Sequence, residues 1–375
     1  MPAFDVIVLG CGAVGSAALA ELARRGVRAI GFDRFAPPHI HGSSHGRTRM
    51  IRQAYFEHPD YVPLVLRAYA KWAELEQVVG QKLYRETGLL EIGPPDGHVV
   101  PGVIAAAEQH GLEIDRLTAA EVDRRFPGFR VPADMCGVFE RRAGFLHVES
   151  CIAAQLKRAA ELGSACHVDE PVRAWNVASN GVTVETDRGR YEAGKLIVAA
   201  GAWSGRLLTS LGIELVVRRK PQYWFAPRND DYRADVGAPS FLYETPTGTF
   251  YGFPVVGPEG LKCAEHSGGA VVDDPGRLSP DVDRADLSRV ERFLASHLPG
   301  ISPTLVDHAP CMYTMSPDEN FIVDRHPEHA QVVFAAGLSG HGFKFAPVLG
   351  EALVDLTLEG RSRLPIEFLS VARFA

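Results

Sequence analysis

The sequence predicts an α/β protein: a Rossmann-like βαβ domain, discontinuous along the chain, carrying a β-rich mixed-sheet second domain. Three observations predict it. The N-terminus reads strand, glycine turn, helix, strand. A second glycine turn opens a helix more than three hundred residues later. Between them lie mostly short strand-like segments separated by turn residues.

Asp5-Val6-Ile7-Val8-Leu9 is a short apolar strand, and Gly10-Cys11-Gly12-Ala13-Val14-Gly15 follows at once. An alanine-rich helix runs to residue 25, and a second strand over 27–32 ends at Asp33. This is the G-x-G-x-x-G dinucleotide fingerprint in the setting it requires. Gly10 allows the tight turn, Gly12 lets a pyrophosphate approach the backbone, and Gly15 lets the helix pack on the strand. The helix start offers free N–H groups and a positive dipole end to the phosphates. Asp33 stands 18 residues after Gly15, near the roughly 20 expected of a carboxylate that binds ribose hydroxyls. Ala13 and Val14 count with these residues as nucleotide-binding positions. The motif alone does not separate NAD from FAD.

At 375 residues the chain suits two domains, or one with a large insertion. Its 46% hydrophobic and 23% charged content builds a core without disulfides or metals. A net charge of −7 gives no general attraction to nucleic acid or anionic membrane. No apolar stretch is long enough to span a bilayer, and the N-terminus enters a strand with no signal-peptide core. A cytoplasmic protein is expected. The six cysteines are scattered, with no C-x-x-C pair, and read as free thiols.

Residues 35–52 are irregular and rich in Pro, His, Gly and Ser. His39, His41 and His45 lack the Cys or carboxylate partners of a metal set, so no metal is expected. The segment reads instead as a loop crossing the nucleotide. Residues 60–80 form an amphipathic helix, with Val65, Tyr69, Trp72, Leu75 and Val79 at helical spacing. Residues 84–145 hold short strand-like pieces such as Leu89-Leu90-Glu91-Ile92. Residues 148–163 form a second helix, with Ser150 as its cap and Gly163 as its stop. A run of strands over 165–191 precedes Lys195-Leu196-Ile197-Val198-Ala199-Ala200-Gly201, a buried strand that ends like another facing a nucleotide. Residues 216–299 alternate in short strands and close with a helix over 283–298. Finally, a strand over 331–336 leads into Gly337-Leu338-Ser339-Gly340-His341-Gly342 and a helix over 343–358. The expected division is a nucleotide domain over 1–83, 146–215 and 300–375, and a substrate domain over 84–145 and 216–299.

Other stretches carry a resemblance. They are Pro37-Pro38-His39, Ser44-His45-Gly46 with Thr48-Arg49, Ile51-Arg52, Tyr251-Gly252-Phe253-Pro254, Leu261-Lys262 and His266. Cys311-Met312-Tyr313-Thr314, Ser316-Pro317-Asp318-Glu319 and Leu338-Ser339-Gly340-His341-Gly342-Phe343-Lys344-Phe345 complete the set. With the fingerprint, they resemble the family of monomeric sarcosine oxidase and N-methyl-L-tryptophan oxidase, within the D-amino-acid-oxidase-like flavoproteins. The resemblance covers essentially the whole chain. Its last two stretches look slightly closer to the N-methyltryptophan branch.

The resemblance implies an FAD-binding domain with the flavin joined through its 8α-methyl carbon to the sulfur of Cys311. It implies an oxidase of secondary (N-methyl or cyclic) amino acids that passes a hydride to flavin N5 and reduces O₂ to H₂O₂. The imine product then hydrolyses. A monomer is expected, with a small amino acid and O₂ as its partners. Arg52 and Lys344 match residues that clamp the substrate carboxylate, a task suited to the planar fork of Arg. Tyr251 and His266 would line the substrate site, His266 holding the amine neutral. Lys262 resembles the lysine that promotes reaction of the reduced flavin with oxygen. Arg49 and His45 would add positive potential on the other flavin face. Ser43, Val172, Gly201, Gly340, Gly342, Phe343 and Lys344 join Arg49 and Cys311 as expected FAD contacts.

Arg47, Gln53, Cys263 and Pro347 depart from what the family leads one to expect, and the first two put substrate identity in doubt. Gln222-Tyr223-Trp224 and Leu242-Tyr243 are candidate cavity walls. Two alternatives stand: a flavin dehydrogenase or biosynthetic imine-forming oxidase, and a flavoprotein subunit without turnover.

Overall fold

The computed structural model describes residues 3–179 and 181–374. Its first sheet has eight strands. Phe4–Leu9 lies between Ala29–Phe32 and Gly189–Val198, parallel to both. Ala165–His167 extends the sheet beyond Ala29–Phe32, again in parallel. The other edge of Gly189–Val198 pairs first with Gly181–Thr186 and then, in parallel, with Val332–Ala336. Thus the two ends of the chain meet in one sheet.

Strand alternation sends Val6 and Val8 into one core and Ile7 and Leu9 into another. Burial on both faces explains why this strand reads as a continuous apolar run. Helix Ala13–Arg24 covers the first face, packed against Val148–Glu161 and Ala346–Glu359. The hairpin strands Val172–Ala178 and Gly181–Thr186 bring Val182 and Val184 into the second core.

The second eight-stranded sheet is antiparallel except where Ser240–Thr245 runs beside Leu89–Gly93. Helix Arg284–His297 covers one face, where Phe241, Tyr243, Phe250 and Phe293 form the core. A three-stranded sheet of Thr48–Ile51, Gly144–His147 and Tyr84–Glu86 accompanies the two large ones. Among the described residues no helix is long and apolar enough to cross a membrane.

Several local features differ from expectation. Thr48–Ile51 is a strand inside the stretch read as irregular, because its partner strand lies nearly a hundred residues away. Helices Val99–His110 and Ala119–Arg125 stand where only strands were read. Pro101 obscures the first of them, although in a first turn a proline removes no helical hydrogen bond. The second carries a capping box of Thr118 and Glu121. His147, not Ser150, caps helix Val148–Glu161, since residue 147 holds the extended backbone of a cap and Ser150 is already helical. Strand Ile301–Ala309 pairs with Gln222–Pro227 in the second sheet, although it falls within 300–375.

The fingerprint turn is close-packed. A Cβ on Gly15 would lie 1.7 Å from the Gly10 carbonyl oxygen. Gly15→Ala is therefore expected to destabilise the protein by about 1–3 kcal/mol. An unchanged unfolding midpoint in a thermal melt would contradict this packing.

Candidate active site

The C-terminal ends of the parallel strands line one elongated cavity of about 370 Å³. It contains both glycine turns. Gly10, Gly12, Ala13, Val14 and Asp33 lie at one end, and Gly340, Gly342 and Phe343 at the other. Ser43, Arg49, Val172 and Gly201 also line it. Gly15 does not, because it is spent on helix–turn packing. Gly10 has φ +82°, and a Cβ there would meet the Ala199 carbonyl at 2.5 Å. At Gly12 a Cβ would meet nothing within 4 Å, so the backbone lies open to the cavity. No side chain caps the helix that starts there, and its first N–H groups stay free for an anion.

Asp33 is buried at the cavity edge. Its Oδ2 accepts from the Cys11 amide at 2.7 Å and its Oδ1 from the Phe35 amide at 3.0 Å. His39 Nε2 lies 3.4 Å from Oδ1, and Pro37, His39 and Ser43 line the same cavity. The histidine-rich loop thus crosses the nucleotide cavity. These features fit a dinucleotide with its pyrophosphate at Gly12 and its ribose near Asp33. Cys311, expected to touch the cofactor, lines neither cavity; its buried Sγ sits 3.4 Å from Nη2 of the cavity residue Arg49, which also donates to the Ser43 carbonyl at 2.9 Å.

A smaller cavity of about 50 Å³ adjoins the first, sharing Arg49, Tyr313, Gly340 and Phe343 with it. It collects Arg52, Lys344, Tyr251 and His266 from four separate stretches of chain. Met50, Phe56 and Leu242 supply apolar wall. Arg52 follows strand Thr48–Ile51 and is almost wholly buried. Its guanidinium lies over the rings of Tyr55 (4.1 Å) and Phe56 (4.3 Å). Nη1 donates to the Ala54 carbonyl at 2.9 Å, Nη2 to Glu57, and Nε faces Glu91 at 3.6 Å. Arg52 holds the Glu57 carboxyl down at about 2 despite its burial.

Lys344 lies in the turn before the last helix. Its Nζ donates to the His341 carbonyl at 3.0 Å and the Tyr55 hydroxyl at 3.2 Å. Burial, helped by Arg52, pushes its ammonium down to about 7. His266 Nδ1 lies 3.3 Å from the Tyr313 hydroxyl, and burial drives its imidazolium down to about 3. His266 is therefore neutral, and its ring stands at a steep angle to that of Tyr251.

Lys262 and His45 line neither cavity. Asp307, Trp224, Lys262 and Phe253 are register partners across four strands of the second sheet, so their side chains share a face. The Lys262 ammonium rests near the Trp224 ring (5.2 Å) and the Phe253 ring (5.1 Å). It donates to the Gly46 carbonyl (2.6 Å), the Thr48 carbonyl (2.9 Å) and Thr48 Oγ1 (3.3 Å). Burial and Arg49 pull its ammonium well below the usual lysine value. His45 is buried with both ring nitrogens unpartnered, and burial with Arg49 and Lys262 lowers it to about 3. Arg47 turns outward to Asp307 at 2.7 Å and covers Trp224.

Of the candidate walls, only Leu242 lines the small cavity. Tyr223 and Tyr243 point into the second sheet's own core, on the opposite face from their neighbours Trp224 and Leu242. Gln222 instead accepts from Arg49 at 3.2 Å. Sequence reasoning missed Glu57, Tyr55, Glu91, Glu140 and Lys220. Glu57, five residues after Arg52, had the only local signal.

A histidine held neutral in the fold takes up its proton only on unfolding. Below its free value near 6.5 the unfolded chain then binds more protons, and stability falls with pH until about 3 is reached. Removing His45 removes that loss. His45→Gln is expected to gain unfolding midpoint relative to the parent protein as pH drops from about 7.5 to about 5. A difference independent of pH would show that His45 is not buried as a neutral ring.

Comparison with known proteins gives the same picture. The model of the FAD dependent oxidoreductase family matches residues 5–356. Monomeric sarcosine oxidase of Bacillus sp. (strain B-0618) is 40% identical over 375 residues, covering 99% of this chain and 96% of that protein. N-methyl-L-tryptophan oxidase of Salmonella arizonae is 39% identical over 374 residues, covering 99% of each. Among solved structures, NikD, described as an unusual amino acid oxidase essential for nikkomycin biosynthesis, superposes with a TM-score of 0.87 at 27% identity, over 98% of this chain and 97% of that one. Glycine oxidase from Geobacillus kaustophilus, at 20% identity and a TM-score of 0.81 over 100% and 99%, shares the fold. The chain belongs to the FAD dependent oxidoreductase family.

Proposed function

We propose that this protein is an FAD-dependent oxidase of small secondary amino acids, with N-methylglycine (sarcosine) as the type substrate. The observation that carries this reading is the small cavity lined by buried Arg52 with its partner Glu57, buried Lys344 and a neutral His266, adjoining the larger cavity. Bound FAD supplies an acceptor for the hydride beside the substrate nitrogen, and O₂ takes the electrons on to H₂O₂.

The chain's own residues do the rest. Arg52 and Lys344 bind the substrate carboxylate, Arg52 through the guanidinium N–H groups that Ala54 and Glu57 leave free. A cationic, dry site also favours the amine in its neutral form, the form that can lose hydride. His266 and Tyr251 hold that amine in place, and His266 is free to accept from it. Arg49 and Lys262 form the wall that stabilises negative charge developing as oxygen is reduced, and His45, expected to add positive potential, is neutral in the fold and adds none. Cys311 is the attachment point for the flavin methyl carbon, with Arg49 beside its sulfur. For an N-methyl substrate the imine takes up water, giving the primary amino acid and formaldehyde. A monomer is supported by the name of the relative monomeric sarcosine oxidase.

Cavity size favours a short side chain. A water needs roughly 10–15 Å³ of such space, so about 50 Å³ accommodates only a few small groups. Met50, Phe56 and Leu242 supply its apolar wall.

Peroxide release from sarcosine, proline, pipecolate and N-methyltryptophan is expected to be fastest with sarcosine. Faster turnover of N-methyltryptophan would overturn the size argument, and no turnover of any secondary amine would remove the proposed activity. Acid precipitation should leave the yellow colour in the pellet, and Cys311→Ala should release it. Lys262→Met should slow peroxide formation far more than anaerobic bleaching by substrate. Equal effects on both would remove Lys262 from the oxygen reaction.

A further inference from the structure

Lys220 is buried, yet among the described residues no carboxylate forms an ion pair with it. Lysine is rarely buried without a partner charge. Its Nζ donates to two main-chain carbonyls instead, those of His266 (2.5 Å) and Ser267 (2.7 Å). It also lies 5.1 Å from the centre of the Tyr313 ring. The Lys220 amide donates to the Cys311 carbonyl at 2.7 Å. This one residue thus touches three parts of the site without lining either cavity.

The geometry has a consequence for His266, which follows directly on strand Leu261–Glu265. The strand ladder fixes His266 on one side through its amide, donated to the Thr249 carbonyl at 2.7 Å. Lys220 fixes the carbonyl on the other side. It also backs the Tyr313 ring, whose hydroxyl meets His266 Nδ1. We propose that Lys220 is a positioning residue for His266, pinning its main chain and the Tyr313 ring so that the imidazole keeps its orientation in the substrate cavity. The inference rests on the reading of His266 as a substrate-site residue. A cation does this where a neutral donor would not, because it serves two carbonyls and a ring face at once. Burial pushes the ammonium down to about 8, so it is still charged at neutral pH.

The test is a double-variant cycle on the flavin-loaded enzyme. Lys220→Met is expected to lower kcat/KM about ten- to a hundred-fold, as misplacement of a reacting geometry does. Lys220→Arg, which keeps charge and donors, should restore most of it. In a His266→Asn background the same Lys220→Met change should cost less than about two-fold, because its effect passes through His266. Equal losses in both backgrounds, or no loss in either, would overturn the proposal. If Lys220→Met fails to fold, Lys220→Gln is carried through the same cycle and read in the same way. If His266→Asn leaves kcat/KM unchanged, the reading of His266 falls instead, whatever Lys220 does.

Discussion

The site depends on how residues 46–54 are held between the two large sheets. Three ionisable side chains from other elements grip this segment by its main chain. Glu149 takes the amides of Gly46 (2.7 Å) and Arg47 (3.1 Å). Lys262 takes the carbonyls of Gly46 and Thr48. Glu140 takes the amides of Gln53 (2.8 Å) and Ala54 (2.9 Å). Charge-assisted bonds of this kind are among the stronger ones available in an interior. They fix Arg49, which lines both cavities, and Arg52, which lines the smaller one. Lys262 thus has a structural task beside the one proposed for it with oxygen.

The electrostatics follow from the same arrangement. Arg49, Arg52, Lys220, Lys262 and Lys344 gather around the two cavities. Among the described residues only Arg52 pairs with carboxylates, Glu57 and Glu91. Main-chain carbonyls, hydroxyls and ring faces satisfy the N–H groups of the others without cancelling their charge. The result is a water-poor pocket in which Arg49 keeps its charge, burial lowers the lysine ammonium groups, and the histidines stay neutral. Such a field suits a substrate that arrives with a carboxylate and a reaction that leaves electrons on a bound cofactor. Glu91 and Glu140 share one face of the second sheet, and burial raises them to about 8 and about 7. Their negative charge near Arg52 is thereby reduced at neutral pH.

Much of the nucleotide end was legible in the sequence because its determinants are local. Gly10, Gly12 and Gly15 act within one turn and the helix that follows it, and Asp33 closes the next strand. Their order along the chain is nearly their order in space. Arg52, Lys262 and His266 were legible only through motif resemblance, since nothing within a few residues of each marks it out. Helix Val99–His110 was hidden by Pro101, and strand Thr48–Ile51 by a partner nearly a hundred residues away.

The sequence by itself determined that a dinucleotide docks on a βαβ unit and that both ends of the chain contribute to its cavity. Tertiary structure decided the substrate end. The pairing of Arg52 with Glu57 and Glu91, the grip of Lys220 on His266, and the placing of Leu242 rather than Tyr243 in the wall all depend on which strand faces and loops meet. The Arg52–Glu91 and Lys220–His266 meetings join residues about forty to fifty positions apart, and the wall turns on a two-residue alternation between sheet faces. Neither leaves a local pattern in the chain. The physical reason is that backbone geometry propagates over a turn, whereas buried charges find their partners only after the core has brought the sheets together.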